Sequence, residues 1–187
     1  MPKENRTRFA ILGLLTHQPL SGYDIKKRIE HSIAYFWKAG YGQIYPTLKQ
    51  LEDEELVRIN QSDNSGKPDR KVYEITASGK EKLRIWLASP TEPEIIRYEL
   101  LLKLFFGSII PTEKHLKNIS DFRSANVQNH KTMAEYESNL RKVLNISDDH
   151  LYYLLTVLFG KHLYQAYINW ADEATALLNQ NANIGKE

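Results

Sequence analysis

The spacing of apolar side chains changes period twice in the first half of this chain. Up to about residue 53 it is helical. Over residues 57–75 it is two, and from Thr76 it is helical again. That order allows few folds, because a helix period does not sit as a strand and a strand period does not sit as a helix. Phe9, Ile11, Leu12, Leu14 and Leu15 form the apolar face of a first helix over residues 6–16, ended by Gln18-Pro19. Ser21-Gly22 opens a second helix, with Ile25, Ile29, Ile33 and then Phe36/Trp37 at helical spacing and Lys26, Lys27 and Arg28 facing elsewhere. Gly40 and Gly42 interrupt the pattern. A third helix is predicted from about Gln43, with Ile44, Leu48 and Leu51 as its buried stripe and Pro46 in its first turn, where a missing N–H costs little.

Val57 and Ile59 then alternate with Arg58 and Asn60, and Tyr73 and Ile75 with Val72 and Glu74. Between them runs the polar segment Ser62-Asp63-Asn64-Ser65-Gly66-Lys67-Pro68-Asp69-Arg70, the tip of a β-hairpin. Thr76 is a good N-cap for a fourth helix with the core face Leu83, Trp86 and Leu87. Three helices, a strand, a basic loop and a strand make a winged helix-turn-helix whose wing is the hairpin tip. This domain is assigned to residues 1–88.

Ser89-Pro90-Thr91-Glu92-Pro93 is a stiff linker, residues 89–93. Everything after it reads helical, so the chain as a whole is mostly α with a small β-hairpin. A helix over Glu94 to about Phe106 is apolar on most of its circumference and must be buried on several sides. Pro111-Thr112 starts a helix running to about Leu144. Its thin stripe of Leu116, Ile119, Phe122, Met133, Tyr136, Leu140 and Val143/Leu144 needs a partner along its length. Ser147-Asp148-Asp149 caps the last helix, which carries a broad face from Leu151 to Leu178. Residues 94–180 hold more apolar surface than one chain of this size can bury. The expected solution is a two-fold homodimer, which makes this a helical dimerisation domain. The alternative is a monomer with these helices folded back on the first domain. Asn179 to Glu187 reads as a polar, frayed end, with residues 181–187 as a flexible tail.

Composition narrows the chemistry. The 187 residues include no cysteine, which excludes disulfides, a thiol nucleophile and thiolate metal sites. No phosphate loop, nucleophile elbow or H-E-x-x-H pattern occurs, and the six histidines include no adjacent-turn pair on one helix face. No enzyme activity, cofactor or metal is therefore expected. Neither a signal sequence nor the roughly 20-residue apolar run of a membrane span is found, so a soluble, cytoplasmic protein is expected. The net charge is only +2, but residues 1–88 hold 15 Lys and Arg against 11 Asp and Glu, a net of +4. A modestly basic first half suits a polyanion.

Double-stranded DNA is the polyanion that a winged helix fits. The third helix offers Gln43, Tyr45, Thr47, Lys49 and Gln50 beside its apolar stripe. Gln pairs with adenine, Thr meets a thymine methyl, and Tyr and Lys hold phosphates. Tyr45 either serves there or packs between helices. The wing offers Lys67, Arg70 and Lys71 for phosphate or minor-groove contact, as against a merely solvated loop. Arg6, Arg8, Lys26 and Lys27 add phosphate contacts, and Tyr23 either gives its hydroxyl to a phosphate or packs under the second helix. The contrasting reading is a winged-helix protein-interaction module without DNA binding, favoured by the acidic run Glu52-Asp53-Glu54-Glu55. In the second half Tyr152, Tyr153, Phe159, Tyr164, Tyr167 and Trp170, bordered by Trp86 and Phe105, either line a gap for a small flat aromatic effector or form the dimer core.

These residues resemble the PadR-type transcriptional regulators, in the branch with a long helical C-terminal domain. The shared pieces are Ala10-Ile11-Leu12-Gly13-Leu14-Leu15 and Pro19-Leu20-Ser21-Gly22-Tyr23-Asp24-Ile25. Phe36-Trp37, Gly42-Gln43-Ile44-Tyr45-Pro46-Thr47-Leu48, Leu51-Glu52 and Leu56-Val57 follow. The wing run Lys67-Pro68-Asp69-Arg70-Lys71-Val72-Tyr73 and Ile75-Thr76-Ala77-Ser78-Gly79 complete the first domain, and a looser match continues through Glu99-Leu100-Leu101-Leu102-Lys103-Leu104-Phe105-Phe106. The resemblance implies a homodimeric repressor on an inverted-repeat operator, released in some members by a small phenolic compound. One departure is Glu55, where the family commonly carries glycine. A helix ends most easily on glycine in the left-handed region, so a different end to the third helix is expected here.

Overall fold

The computed structural model describes residues 5–60, 71–93 and 96–184. The chain divides into two compact units, Met1–Pro93 and Glu94–Glu187.

In the first unit, α1 (Thr7–Leu15), α2 (Gly22–Ser32), α3 (Tyr41–Asp53) and α4 (Ala77–Ala88) surround a small sheet of β1 (Leu20–Ser21), β2 (Val57–Ile59) and β3 (Val72–Ile75). The strand order is β1-β3-β2, antiparallel throughout, with Leu20 opposite Tyr73 and Val57 opposite Ile75. The sequence predicts only the β2–β3 hairpin. β1 is two residues long, too short to leave a period. Ile11, Leu12, Ile25, Ile44, Leu48 and Leu51 are fully buried at the centre. Ser21 begins α2 with a capping box: its hydroxyl accepts the Asp24 N–H at 3.2 Å, and the Asp24 carboxylate accepts the Ser21 N–H at 3.3 Å.

Four details differ from the sequence expectation. α2 stops at Ser32, and the apolar repeat continues through a turn closed by the Trp37 N–H on the Ile33 carbonyl. α3 begins at Tyr41, which puts Pro46 one turn deeper than the first turn. Leu87 is 67% exposed, whereas Trp86 stacks on Phe9 with ring centroids 4.3 Å apart. Glu55 does not change the helix end. It takes φ 57°, with its N–H on the Glu52 carbonyl and the Leu56 N–H on the Leu51 carbonyl. This is the two-bond closure that glycine normally serves, with Leu56 packed in the same core as Leu51. A side chain in that region costs about 1–2 kcal/mol. Glu55→Gly is therefore expected to raise the stability of this unit by about 1 kcal/mol, read as a melting shift of a few degrees.

The second unit holds α5 (Glu99–Phe105), a 3-10 turn (Gly107–Ile109), α6 (Thr112–Lys142) and α7 (Asp148–Ile184). Arg123 pairs with Asp172 at 2.5 Å and Lys161 with Glu137 at 2.6 Å. Partners therefore run in opposite directions along the two helices, making α6 and α7 an antiparallel hairpin. Ile119, Met133, Leu154, Val157 and Ala171 are buried in it. α5 is shorter than predicted and not buried on several sides in the single chain, since Leu102 is 60% and Phe105 82% exposed. α7 stays helical through Ile184, well into the segment from Asn179 that is expected to fray. Among the described residues no helix is long and apolar enough to cross a membrane.

Candidate nucleic-acid interface

α3 is held from behind, which decides what its front can offer. Ile44, Leu48 and Leu51 dock it on the core. Thr47 also lies on the inner face and is 1% exposed. Its hydroxyl donates to the Gln43 carbonyl at 2.6 Å and accepts from the Asn5 amide at 2.7 Å. It therefore does not stand on the DNA face to which the sequence assigns it. Arg8 is likewise buried, pairing with Glu54 rather than pointing outward. Gln50 donates to the same Glu54 at 3.1 Å. Glu54, part of the acidic run, is thus engaged in fastening α1 to the end of α3.

Gln43, Tyr45 and Lys49 remain exposed on the front of α3, with Gln50 beside them. α2 flanks this face. Its Lys26 pairs with Glu30 and lies 4.9 Å from the centroid of Tyr41, and Lys27 lies 4.7 Å from that of Tyr23. The Glu30 carboxylate raises the Lys26 ammonium above its ordinary value, and the Tyr23 hydroxyl does the same for Lys27, so both stay charged at neutral pH. Tyr23 is 46% exposed and does not pack under α2. Arg6 is half-buried and turns to Glu92 at 2.5 Å. Lys71 is exposed immediately before β3; Lys67 and Arg70 lie outside the described residues. The sequence reading misses Tyr41, which stacks on Tyr45 with centroids 5.9 Å apart. Flanked by Gly40 and Gly42, it reads as loop.

The aromatic residues of the second half fall into separate places. Tyr167 and Trp170 line a cavity of about 160 Å³ with Tyr98, Leu100, Leu101 and Phe122. The Tyr98 and Tyr167 hydroxyls are 2.5 Å apart. Burial first, and the Tyr98 hydroxyl second, push the Tyr167 phenol up, so it stays neutral at physiological pH. Tyr164 packs near Tyr167 without lining the cavity, with ring centroids 6.4 Å apart. Phe105 and Phe159 are 82% and 65% exposed and do not line it, and Trp86 lies in the first unit against Phe9. Tyr98, Leu100, Leu101 and Phe122 are missed from sequence because nothing local marks them as neighbours of α7.

Comparisons with known proteins agree with this geometry. Residues 11–85 match the transcriptional regulator PadR-like family, and residues 96–179 match the virulence activator alpha C-term family. The negative transcriptional regulator PadR of Bacillus subtilis is 28% identical over 182 residues, covering 93% of this chain and 98% of that protein. Its crystal structure in complex with operator DNA superposes with a TM-score of 0.76 at 28% identity, over 92% of this chain and 98% of the other. Its complex with p-coumaric acid gives 0.70 at 28% identity over the same shares. The Vibrio cholerae virulence activator AphA gives 0.75 at 28% identity, again over 92% and 98%. The chain thus joins a PadR-like transcriptional regulator domain in its winged-helix first unit to a virulence activator alpha C-terminal domain in its long helical second unit.

Proposed function

We propose that the protein is a homodimeric repressor that binds an inverted-repeat operator through α3 and the wing. The observation that carries this reading is the front of α3: Gln43, Tyr45 and Lys49 stand free of the core while Ile44, Leu48 and Leu51 fix the helix. A major groove admits one such helix, with amide side chains on base edges and Lys, Tyr and the wing on phosphates. Tyr23, Lys26, Lys71 and Arg6 serve as flanking phosphate contacts, with Lys67 and Arg70 at the wing. Thr47 and Arg8 act by holding α3 in place. The operator complex of Bacillus subtilis PadR supports the DNA reading, and its description as a negative regulator supports repression. Such a regulator works in the cytoplasm, where the DNA is.

Binding to a duplex selected from a random library, over a salt series, tests this. The logarithm of the affinity is expected to fall linearly with that of salt. Lys71→Ala should reduce the slope by about 1 and weaken all sequences alike, whereas Gln43→Ala should cost about 1–3 kcal/mol at particular base positions. Salt-independent or absent binding would refute the proposal and return the winged helix to a protein-interaction role.

The cavity beside Tyr167 takes a small aromatic effector that releases the DNA. A cavity of this size lined by apolar side chains accommodates one benzene-sized ring, and the p-coumaric acid complex of the Bacillus relative supports the ligand class. Titration with a panel of phenolic acids is expected to change the Trp170 fluorescence saturably and to weaken DNA binding. Trp170→Phe removes the signal and serves as control. A panel with no saturable response would remove the phenolic effector from the proposal.

A further inference from the structure

The outward tyrosine of α3 is not a loose surface side chain, although it is 50% exposed. One face of its ring lies on the backbone of Gly22. A Cβ built at Gly22 would stand 2.7 Å from Tyr45 Cε1 and 3.0 Å from Cζ, closer than any ordinary contact. Tyr41 stacks on the ring as well, with centroids 5.9 Å apart and planes inclined by 23°. Lys26 in turn lies 4.9 Å from the Tyr41 centroid and is tied to Glu30. α2 and α3 therefore share one clamp, made from glycine backbone, two rings and an ammonium. Gly22 is the first residue of α2, whose start is already closed by the Ser21 capping box, so its lack of a side chain matters for the ring rather than for the helix.

Resting on the DNA-binding reading above, we infer that Gly22 and Tyr41 are positioning residues of the interface: together they fix the Tyr45 ring and seat Lys26 beside it. A free exposed tyrosine loses rotamer freedom when it meets a phosphate or base, whereas a clamped one has lost it on folding. Lys26, held against the Tyr41 face, likewise presents its charge from a fixed position.

A double-mutant cycle on the selected duplex tests the clamp. Gly22→Ala displaces the ring and is expected to weaken operator binding about three- to tenfold at fixed salt. The salt slope should not change, because no charge is removed. In a Tyr45→Ala background the methyl has room, and Gly22→Ala should change affinity less than twofold. Tyr41→Ala should act like Gly22→Ala, and Tyr41→Phe, which keeps the stack, should bind like wild type. Circular dichroism melts report whether each variant is folded. If Gly22→Ala does not fold, the Tyr41→Ala and Tyr41→Phe pair decides alone. Equal losses with and without the Tyr45 ring, or a Tyr41→Ala variant that binds like wild type, would overturn the inference and leave the DNA reading standing. A wild-type protein that selects no duplex would overturn both.

Discussion

Gly79→Ala is expected to lower the melting temperature of the winged-helix unit by more than ten degrees. A Cβ at this position would stand 2.1 Å from the Leu56 carbonyl oxygen and 2.8 Å from Ile75 Cγ1. Side chains yield to such crowding, but this carbonyl is held. It accepts the Thr76 N–H at 3.1 Å and the Thr76 hydroxyl at 3.1 Å, and that same hydroxyl caps α4 by accepting the Gly79 N–H at 3.0 Å. Moving Leu56 away from a methyl group would break the joint among the end of α3, the start of β2 and the first turn of α4. Overpacking against fixed backbone, with the loss of a cap, costs about 3 kcal/mol or more. At about 4–8 °C per kcal/mol for a domain of this size, the shift exceeds ten degrees. Gly13→Ala is the matched control, because nothing lies within 4 Å of its Cβ. There the helix gains about 0.5–1 kcal/mol, and the melting temperature should hold or rise. A Gly79→Ala protein melting within two degrees of wild type would refute the close approach.

The joint shows what could be read in advance. Thr76 is recognisable as an N-cap because it precedes a helix-period run, and Leu51 and Leu56 are recognisable as apolar. Nothing local tells that Gly79 touches residue 56, since that contact depends on how the hairpin folds back. The same divide runs through the site. The outward placement of Gln43, Tyr45 and Lys49 is legible because the apolar stripe of α3 fixes which way its other faces point. The inward turn of Thr47 is not legible, because a threonine beside a leucine stripe is indistinguishable by spacing from an outward one. Asn5, far off in sequence, engages its hydroxyl. The burial of Arg8 is hidden for the like reason that its partner Glu54 lies 46 residues away. Glu55 misled in the opposite direction. Residue type argued for a new helix end, yet backbone hydrogen bonds and the Leu51–Leu56 packing outweigh a left-handed φ worth about 1–2 kcal/mol. In the second unit, helix number and order followed from periodicity. Which aromatics converge did not, because Tyr98 and Tyr167 meet only through the packing of the helices.

Changing Phe105 and Phe159 to glutamate is expected to cost operator affinity at least a hundredfold while leaving the winged-helix unit as stable as before. The proposed dimer requires an apolar face that the single chain does not cover. Leu102, Phe105, Phe106 and Ile109 are 60%, 82%, 58% and 80% exposed around α5 and the turn that follows. On α7, Leu151, Leu155 and Phe159, spaced four apart, are 50%, 54% and 65% exposed along one stripe. Large apolar side chains exposed in such number suit an interface better than the surface of a monomer, and a stable interface of about 1,200–2,000 Å² needs apolar surface on each partner. Burying one phenylalanine contributes about 1.5–3 kcal/mol, so two charges per chain, four in a two-fold pair, should undo association. The effect on DNA follows from geometry. Two winged helices joined at half-sites one turn apart, about 34 Å, bind the second half-site intramolecularly. Separated chains lose an effective concentration worth about 10²–10⁴ in affinity. Sedimentation equilibrium should therefore report two chains for the wild type and one for the variant. The variant should still bind an isolated half-site, as weakly as the wild type binds it with one domain. Equal masses for the two proteins, with equal affinity for the full operator, would mean that this face serves something other than a second copy of the chain. Equal masses with reduced affinity would place Phe105 or Phe159 in DNA recognition without dimerisation.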